Sequence, residues 1–225
     1  MNTQTVGYIF KKDINNNFEF IGDFESLYKN EDDPWNQSAK DGEISSYHKI
    51  SRKRLGQKLL EVNPSALLEV GCGLGYTTNQ IQQQLPNSNI LGADISTTAI
   101  SRAKKLFTNL NFKQGDICAS DFYEKFKNFK PNSIILNQLL WYVLEDLDTC
   151  ISNCFNLLKK NNFLIFSQGF LKEDQKYGRE IIDGYEGLLS YINKDLKKLF
   201  KIEFSDIHKS EELTHNDGLL ILSKK

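Results

Sequence analysis

Charge of one sign is the first thing this sequence lacks. Its 225 residues hold 28 Lys and Arg against 29 Asp and Glu, a formal net charge of −1 with a pI near 6.3. That balance speaks against a general nucleic-acid binder, because neutralising a phosphate backbone takes a clustered excess of Lys and Arg. Cysteine is scarce as well: Cys72, Cys118, Cys150 and Cys154 are too few for a disulfide framework. Cys150 and Cys154 lie one helical turn apart, yet no Cys or His cluster stands near them to complete a four-ligand set. They read as buried, reduced thiols, and no metal site is expected. No window approaches the ~18 apolar residues of a membrane span. The start, Met1-Asn2-Thr3-Gln4-Thr5, has neither the basic patch nor the apolar stretch of a secretory signal. A cytoplasmic protein without a membrane partner is expected. Internal repeats and long low-complexity linkers are also missing.

What is present is enough to build a core. The 40% hydrophobic and 12% aromatic content is ordinary for a folded domain and too high for a disordered chain. Residues 1–43 are polar, rich in Asn and Asp, and weakly periodic. A helical stretch follows over 44–62, closed by Asn63-Pro64. Beyond it, short apolar runs (66–70, 89–93, 133–136, 163–166) alternate with helical patterns over 76–85, 97–107 and 144–158. In the last of these, Leu144, Leu147, Ile151, Phe155 and Leu158 make one apolar helix face. Such alternation predicts a parallel sheet wrapped by helices. Runs 200–207 and 218–223 have only a polar loop between them, too short for a crossover helix, and should pair antiparallel. A single α/β domain over 1–225 is expected, with 1–62 an N-terminal segment and helix and 63–225 the core.

The most informative stretch is Leu67-Leu68-Glu69-Val70-Gly71-Cys72-Gly73-Leu74-Gly75-Tyr76. An apolar strand runs into three glycines at alternate positions, and a helix starts directly after them. Glycine permits positive φ and close approach of a ligand to the backbone. The helix N-terminus beyond presents free N–H groups to an anionic ligand group. The dinucleotide fingerprint G-x-G-x-x-G would need glycine at 76, where Tyr76 stands, and no Lys follows to make a phosphate loop. A carboxylate, Glu69, precedes the first glycine instead.

In this acid-and-glycine string the chain resembles the class I S-adenosylmethionine-dependent methyltransferases, whose cofactor carries an ammonium group where a dinucleotide carries pyrophosphate. The resemblance continues in order along the chain. Asp94, at the tip of the second run, stands where the family's acidic residue accepts from both ribose hydroxyls, followed by Ile95 and by Ser96 as a helix N-cap. Gly115-Asp116-Ile117 matches the third-strand motif, with Asp116 toward the adenine amino group and an adjacent apolar side chain on the ring. Asn137 and Gln138 leave the fourth strand beside the expected sulfonium. Asn161 and Asn162 replace glycines in the turn into the fifth strand, and Asn tolerates the αL conformation there. The implied fold is a Rossmann-like, seven-stranded mixed sheet with the last strand antiparallel, helices on both faces and an N-terminal helical lid. The implied cofactor is S-adenosyl-L-methionine, leaving as S-adenosyl-L-homocysteine. Glu69, Gly71, Cys72, Gly73, Gly75, Tyr76, Asp94, Ile95, Gly115, Asp116, Ile117, Asn137 and Gln138 are its implied contacts.

The acceptor is less legible, since fold does not decide function. Asn137-Gln138-Leu139-Leu140 lacks the prolines of the Asn-Pro-Pro-Tyr quartet found in amino-group methyltransferases of DNA. Phe24-Glu25-Ser26-Leu27-Tyr28-Lys29, followed by Asp32-Asp33-Pro34-Trp35, resembles the lead-in of small-molecule methyltransferases related to nodulation protein S. That resemblance implies a lid in which Tyr28 and Trp35 cover the cofactor. The polar stretch 172–191, with Gln175, Arg179 and Asp183, suits a hydroxylated small molecule such as a sugar or glycan precursor. His48, His208 and Asp183 are the candidate general bases for a hydroxyl or amino acceptor. Two other readings stay open: a nucleic-acid or protein methyltransferase, and a non-catalytic partner protein that binds the cofactor.

Overall fold

The computed structural model of the chain describes residues 7–12, 14, 18–39 and 44–225. Its first elements are ones that the weak periodicity of 1–43 conceals. Strands β1 (Phe10–Lys12) and β2 (Phe18–Phe20) pair as an antiparallel hairpin, and α1 (Phe24–Asn30) follows, capped by Asp23, whose side chain accepts from Ser26 N. The expected helical lid is therefore part hairpin. Three-residue strands are too short to show an alternation, which is why the pattern stays silent here.

Helix α2 (Ser46–Val62) begins where Ser45 accepts from His48 N at 3.3 Å and ends at Asn63 in the left-handed region, φ 46°. Its buried face is a row at intervals of four: Tyr47, Ser51, Leu55 and Leu59. Then the strand–helix rhythm sets in. The chain runs through β3 (Ala66–Val70), α3 (Tyr76–Gln84), β4 (Asn89–Asp94), α4 (Thr97–Leu106), β5 (Asn111–Gln114), α5 (Phe122–Phe126) and β6 (Ser133–Asn137). Two 3₁₀ turns lead into α6 (Leu147–Leu157), which buries Leu147, Cys150, Ile151, Cys154 and Leu157; both of these cysteines are free. Asn161, at φ 66°, turns the chain into β7 (Phe163–Phe170). Helix α7 (Gly184–Tyr191) leads on to β8 (Phe200–His208) and β9 (Asn216–Lys224).

The seven strands lie in the order β5-β4-β3-β6-β7-β9-β8, with β9 antiparallel to both neighbours and the other contacts parallel. Central strands β3, β6 and β7 are buried along nearly their whole length, as strands covered on both faces must be, whereas edge strand β8 buries only Phe200 and otherwise runs half-buried or exposed. The order reverses between β3 and β6. Consecutive connections leave these two strands in opposite directions, so a crevice opens at their carboxyl ends.

The polar stretch 172–191 resolves into two parts. Ile182, Tyr185 and Leu188 are buried in the main core, so its second half is the amphipathic crossover helix from β7 to β8. The first half forms a self-bonded surface loop: Gln175 Nε2 donates to the carbonyls of Tyr177 and Ile182, and Arg179 pairs with Asp174 and Asp183.

The core carries one flaw among the described residues. Ser133 Oγ, at the start of β6, is buried with no hydrogen-bond partner. An unsatisfied hydroxyl of this kind costs ~1–3 kcal/mol, which its removal recovers in part. Ser133→Ala should therefore raise the urea midpoint, by about 1 kcal/mol in stability, while Phe166→Ala, one strand over and 1% exposed, should lower it by about 3–5 kcal/mol. A lower midpoint for Ser133→Ala would contradict this account of the site.

Candidate functional site

The glycine loop is a backbone device. Gly71, Gly73 and Gly75 sit at φ 78°, 53° and 83°, where side chains are strained. The amides of Gly71 and Cys72 both donate to the Ala93 carbonyl, which fixes the loop to the tip of β4. A methyl group added at Gly73 would lie 2.5 Å from the Tyr28 hydroxyl, and one at Gly75 would lie 2.6 Å from the Phe112 ring. Gly73 is thus packed against Tyr28 of α1, and Gly75 against the buried ring of Phe112. Cys72 is buried, and burial pushes its thiol up, so it stays protonated. Tyr76 is half-buried, edge-on to Phe107 at 5.4 Å.

Two carboxylates flank this loop, and a third follows the neighbouring strand β5. Glu69, 1% exposed, accepts from Thr78 Oγ1 at 2.6 Å and from Asn137 Nδ2 at 3.1 Å, bridging the crevice between β3 and β6. Both donors are neutral, and burial raises its pKa. Asp94 accepts from Gly73 N at 2.8 Å and from Ser96 N at 2.9 Å, one amide on each oxygen. Burial raises its pKa to about 6 against the pull of those amides. Each oxygen keeps a lone pair for a further donor. Asp116 accepts from Cys118 N at 2.9 Å and is half-buried, with Gly115 N bonded to the Asp94 carbonyl at 3.0 Å. Ile95, 44% exposed, is the apolar surface left at the tip of β4; Ile117, at 4%, is taken up in the core.

The N-terminal segment closes over the loop. Glu25 accepts from Ser96 Oγ, Thr98 N and Thr98 Oγ1 at 2.7, 3.1 and 2.7 Å, and these bonds pull its pKa down to about 2. A carboxylate at the N-terminus of α4 also meets the favourable end of the helix dipole. At the other end of α1, Arg102 donates to the carbonyls of Tyr28, Glu31 and Asp32. The two helices therefore cap one another. Between the caps lies buried Tyr28, whose hydroxyl accepts from Trp35 Nε1 at 2.9 Å. Trp35, Phe20 and Phe24 pack on Tyr142 at ring separations of 5.2–6.2 Å. Phe10 packs on Tyr177.

Helix α2 closes the opposite side. The Tyr47 hydroxyl shares its one proton between Gln138 Oε1 at 3.0 Å and Asp217 Oδ1 at 3.2 Å. Gln138 Oε1 also accepts from Gly169 N at 2.9 Å, and its Nε2 donates to Ser51 Oγ at 3.3 Å. Gln138 itself sits at φ 54°, a strained position for a side chain, held by all these bonds. Asp217, 1% exposed, is paired with Arg54, which also reaches Asp206 at 2.6 Å.

Of the three candidate bases, His48 lies in this region, half-buried and 5.5 Å from the Tyr47 ring. Burial, with Arg52 beside it, lowers its pKa to about 4, so the imidazole is neutral near pH 7. Asp183 is engaged with Arg179 on the surface, 3.0 Å away. His208 ends the edge strand, paired in register with Asp217, four strands and about 19 Å from β3 at sheet spacing. Neither is brought to the loop. Tyr47, Ser51 and Asp217 are the residues that sequence reasoning missed. The available signal was polar side chains on an apolar stripe: Tyr47 and Ser51 in line with Leu55, and Asp217 heading an apolar strand.

Comparison with known proteins follows the same lines. The profile of a family described as "Methyltransferase domain" matches residues 63–213. A malonyl-[acyl-carrier protein] O-methyltransferase of Bacillus cereus is 27% identical over 172 residues, 70% of this chain and 61% of that protein. The chain thus spans about three fifths of that relative's length. A trans-aconitate 2-methyltransferase of Deinococcus radiodurans is 38% identical over 63 residues, 27% of this chain and 24% of that protein. In fold, the chain resembles the N-methyltransferase NodS of Bradyrhizobium japonicum, solved with S-adenosyl-L-homocysteine. That match has TM-score 0.64 and 17% identity over 89% of this chain and 97% of that one. It also resembles the magnesium protoporphyrin IX methyltransferase of Synechocystis, at TM-score 0.62 and 16% identity, over 90% and 95% of the two chains.

Two outcomes follow from the geometry. In a Trp141→Phe background, Glu25→Ala should shift Trp35 emission to the red as α1 loosens; unchanged emission would mean that α1 is held without the Glu25 bonds. For His48, the folded pKa near 4 lies below the unfolded value near 6.5, so the unfolded chain takes up the proton first on acidification. Its contribution is present above pH 6.5 and lost as pH falls to 4. The pH slope of stability across that window should be shallower in His48→Gln than in the unsubstituted protein, as read by urea titrations.

Proposed function

The chain belongs to the methyltransferase-domain family, and from that premise we propose that it is an S-adenosylmethionine-dependent methyltransferase acting on a hydroxyl or amino group of a small polar acceptor. The observation that carries this is the Glu69–Gly73–Asp94 constellation under Tyr28. The Gly73 face that a Cβ would fill is covered by the Tyr28 hydroxyl of the lid, and the buried side chains beside it, Glu69 and Asp94, are acceptors. Glu69, Asp94 and Asp116 suit an ammonium group, a ribose diol and an adenine amine, all of them donors; they would repel a pyrophosphate. The residues present therefore fit the cofactor. Gly71, Cys72, Gly75, Tyr76, Gly115, Asn137 and Gln138 shape the walls, Ile95 offers apolar surface to the adenine, and Tyr28 and Trp35 cover it.

When bound, S-adenosylmethionine supplies a methyl group on an activated sulfonium. The chain's own contribution is orientation and exclusion of water, and orientation of this kind can be worth ~7–11 kcal/mol. The glycine loop and Asp94 hold one end, the crevice between β3 and β6 fixes the direction, and the aromatic cluster around Tyr142 shuts out solvent. Residues 1–62 serve as lid and supporting helix to a core spanning 63–225, all one methyltransferase domain. His48, neutral and close to Gln138 through Tyr47, is the favoured proton acceptor. His208 and Asp183 are not favoured.

A sugar or glycan precursor is the preferred acceptor, supported by the balanced charge of the chain, which offers a polyanion no excess of cations. Asp94→Ala should weaken S-adenosylhomocysteine binding by about 10–150-fold in calorimetry, the equivalent of losing a hydrogen bond to a charged group. Unchanged affinity would remove Asp94 from the site. Release of S-adenosylhomocysteine on a panel of amino and nucleotide sugars then tests the acceptor class.

A further inference from the structure

The side of the crevice facing α2 carries a second constellation that cofactor binding does not use. Tyr47 is wedged between two imidazoles from distant parts of the chain: His48 on α2 at 5.5 Å, and His215 in the β8–β9 connection at 5.6 Å. Both histidines are half-buried, neither closed off inside the core. Both have pKa values lowered by burial, which leaves them neutral, each with one ring nitrogen that donates and one that accepts, the tautomer deciding which. His215 Nδ1 lies 3.0 Å from Thr214 Oγ1. Behind this trio, Asp217 holds the Tyr47 hydroxyl, and Arg54 holds Asp217. In front of it, Tyr47 reaches Gln138, whose strained backbone is the point where β6 ends at the crevice.

We infer that Tyr47, His48 and His215 form the acceptor-binding wall of this site, that the wall takes an uncharged, hydroxylated group, and that Asp217 is the positioning residue that keeps Tyr47 in place. The inference rests on the methyltransferase reading of the glycine loop and adds to it a substrate class. Charge decides the class. A carboxylate acceptor needs a cation within reach, and among the described residues the two guanidinium groups of α2 are both turned to other partners, Arg54 to carboxylates and Arg52 to an amide oxygen. Arg54 binds Asp217 and Asp206, and Arg52 donates to Gln37 at 2.9 Å in the field of Glu69 and Asp33. Neutral imidazoles beside a phenol offer hydrogen bonds of either sense to hydroxyls but no net charge. Asp217 matters because the Tyr47 proton is shared: without the carboxylate, the phenol is free to leave Gln138, and both imidazoles lose the ring on which they rest.

The chain has only three histidines, so their ring C2–H resonances can be assigned from single His→Gln variants. With S-adenosylhomocysteine present, N-acetylglucosamine is titrated as the hydroxylated probe and malonate as the carboxylate probe. N-acetylglucosamine should move the His48 and His215 signals more than that of His208, which pairs beside Asp217 but lies outside the trio; malonate should move none. Shifts of His48 and His215 with malonate, a His208 shift at least as large as theirs, or no shift with the sugar would each overturn the inference. Asp217→Asn should abolish the sugar-induced shifts while S-adenosylhomocysteine affinity stays within about threefold by calorimetry, and Tyr47→Phe, which keeps the ring and the buried ion pair, should do the same. A parallel loss of S-adenosylhomocysteine affinity in both would assign these residues to the cofactor and overturn the wall. If the unsubstituted protein binds no S-adenosylhomocysteine, the methyltransferase reading fails instead, and the sugar titration alone still decides whether the wall exists.

Discussion

A carboxylate buried at the reversal point of the sheet is the constraint around which this protein is organised. Glu69 has almost no contact with water, and its two partners, Thr78 and Asn137, are both neutral. Burying an ion that neutral donors hold only in part carries a desolvation cost. A chain selected for stability alone would place an apolar residue there. The guanidinium of Arg52 contributes a favourable field to Glu69, and the proposed ammonium group would add a direct cationic partner. Thr78 sits in the first turn of α3 and Asn137 at the end of β6, so one side chain ties the helix after the glycine loop to both walls of the crevice.

The two flanks of that crevice are built by different physics. On the α1 side, electrostatics does the fastening: Glu25 and Arg102 each satisfy backbone groups that a helix end leaves open, and the aromatic rings fill the space between. On the α2 side, a buried ion pair anchors a phenol, and hydrogen bonds pass from it to the strand ends. The first kind of fastening lies at helix ends and rests on Glu25 and Arg102. The second is part of the core, through the buried pair of Asp217 and Arg54.

Much of this was legible in the sequence because its physical cause was local. The strand–helix rhythm, the Ser96 cap, the αL turn at Asn161 and the acid-glycine string depend on near neighbours, and the seven-stranded sheet with its antiparallel end followed from them. The hairpin at 10–20 was not legible, since strands of three residues leave no period to detect. The polar stretch 172–191 misled for a related reason: Ile182, Tyr185 and Leu188 are a helical stripe, but the charged loop before them hid it. The acceptor side was least legible of all. Tyr47 and Asp217 have ordinary neighbours in sequence, and only the tertiary fold joins them. His208 and Asp183 looked equivalent to His48 in sequence and part company with it only through strand order and a surface ion pair.

The Tyr47–Asp217 bond closes a loop of 170 residues, one of the longest separations in the structure. Contacts so distant along the chain carry a large closure entropy and tend to be made late in folding. The glycine loop is fastened by bonds between near neighbours in sequence, Gly73 to Asp94 and Gly71 to Ala93, whereas the surface beside Gln138 is finished only when the last strand has paired with β7. The same strand carries Leu219, Leu220, Ile221 and Leu222 into the core beneath the loop. One strand near the end of the described chain thus completes both the core and the polar side of the crevice, so a change that loosens β9 would be felt at both.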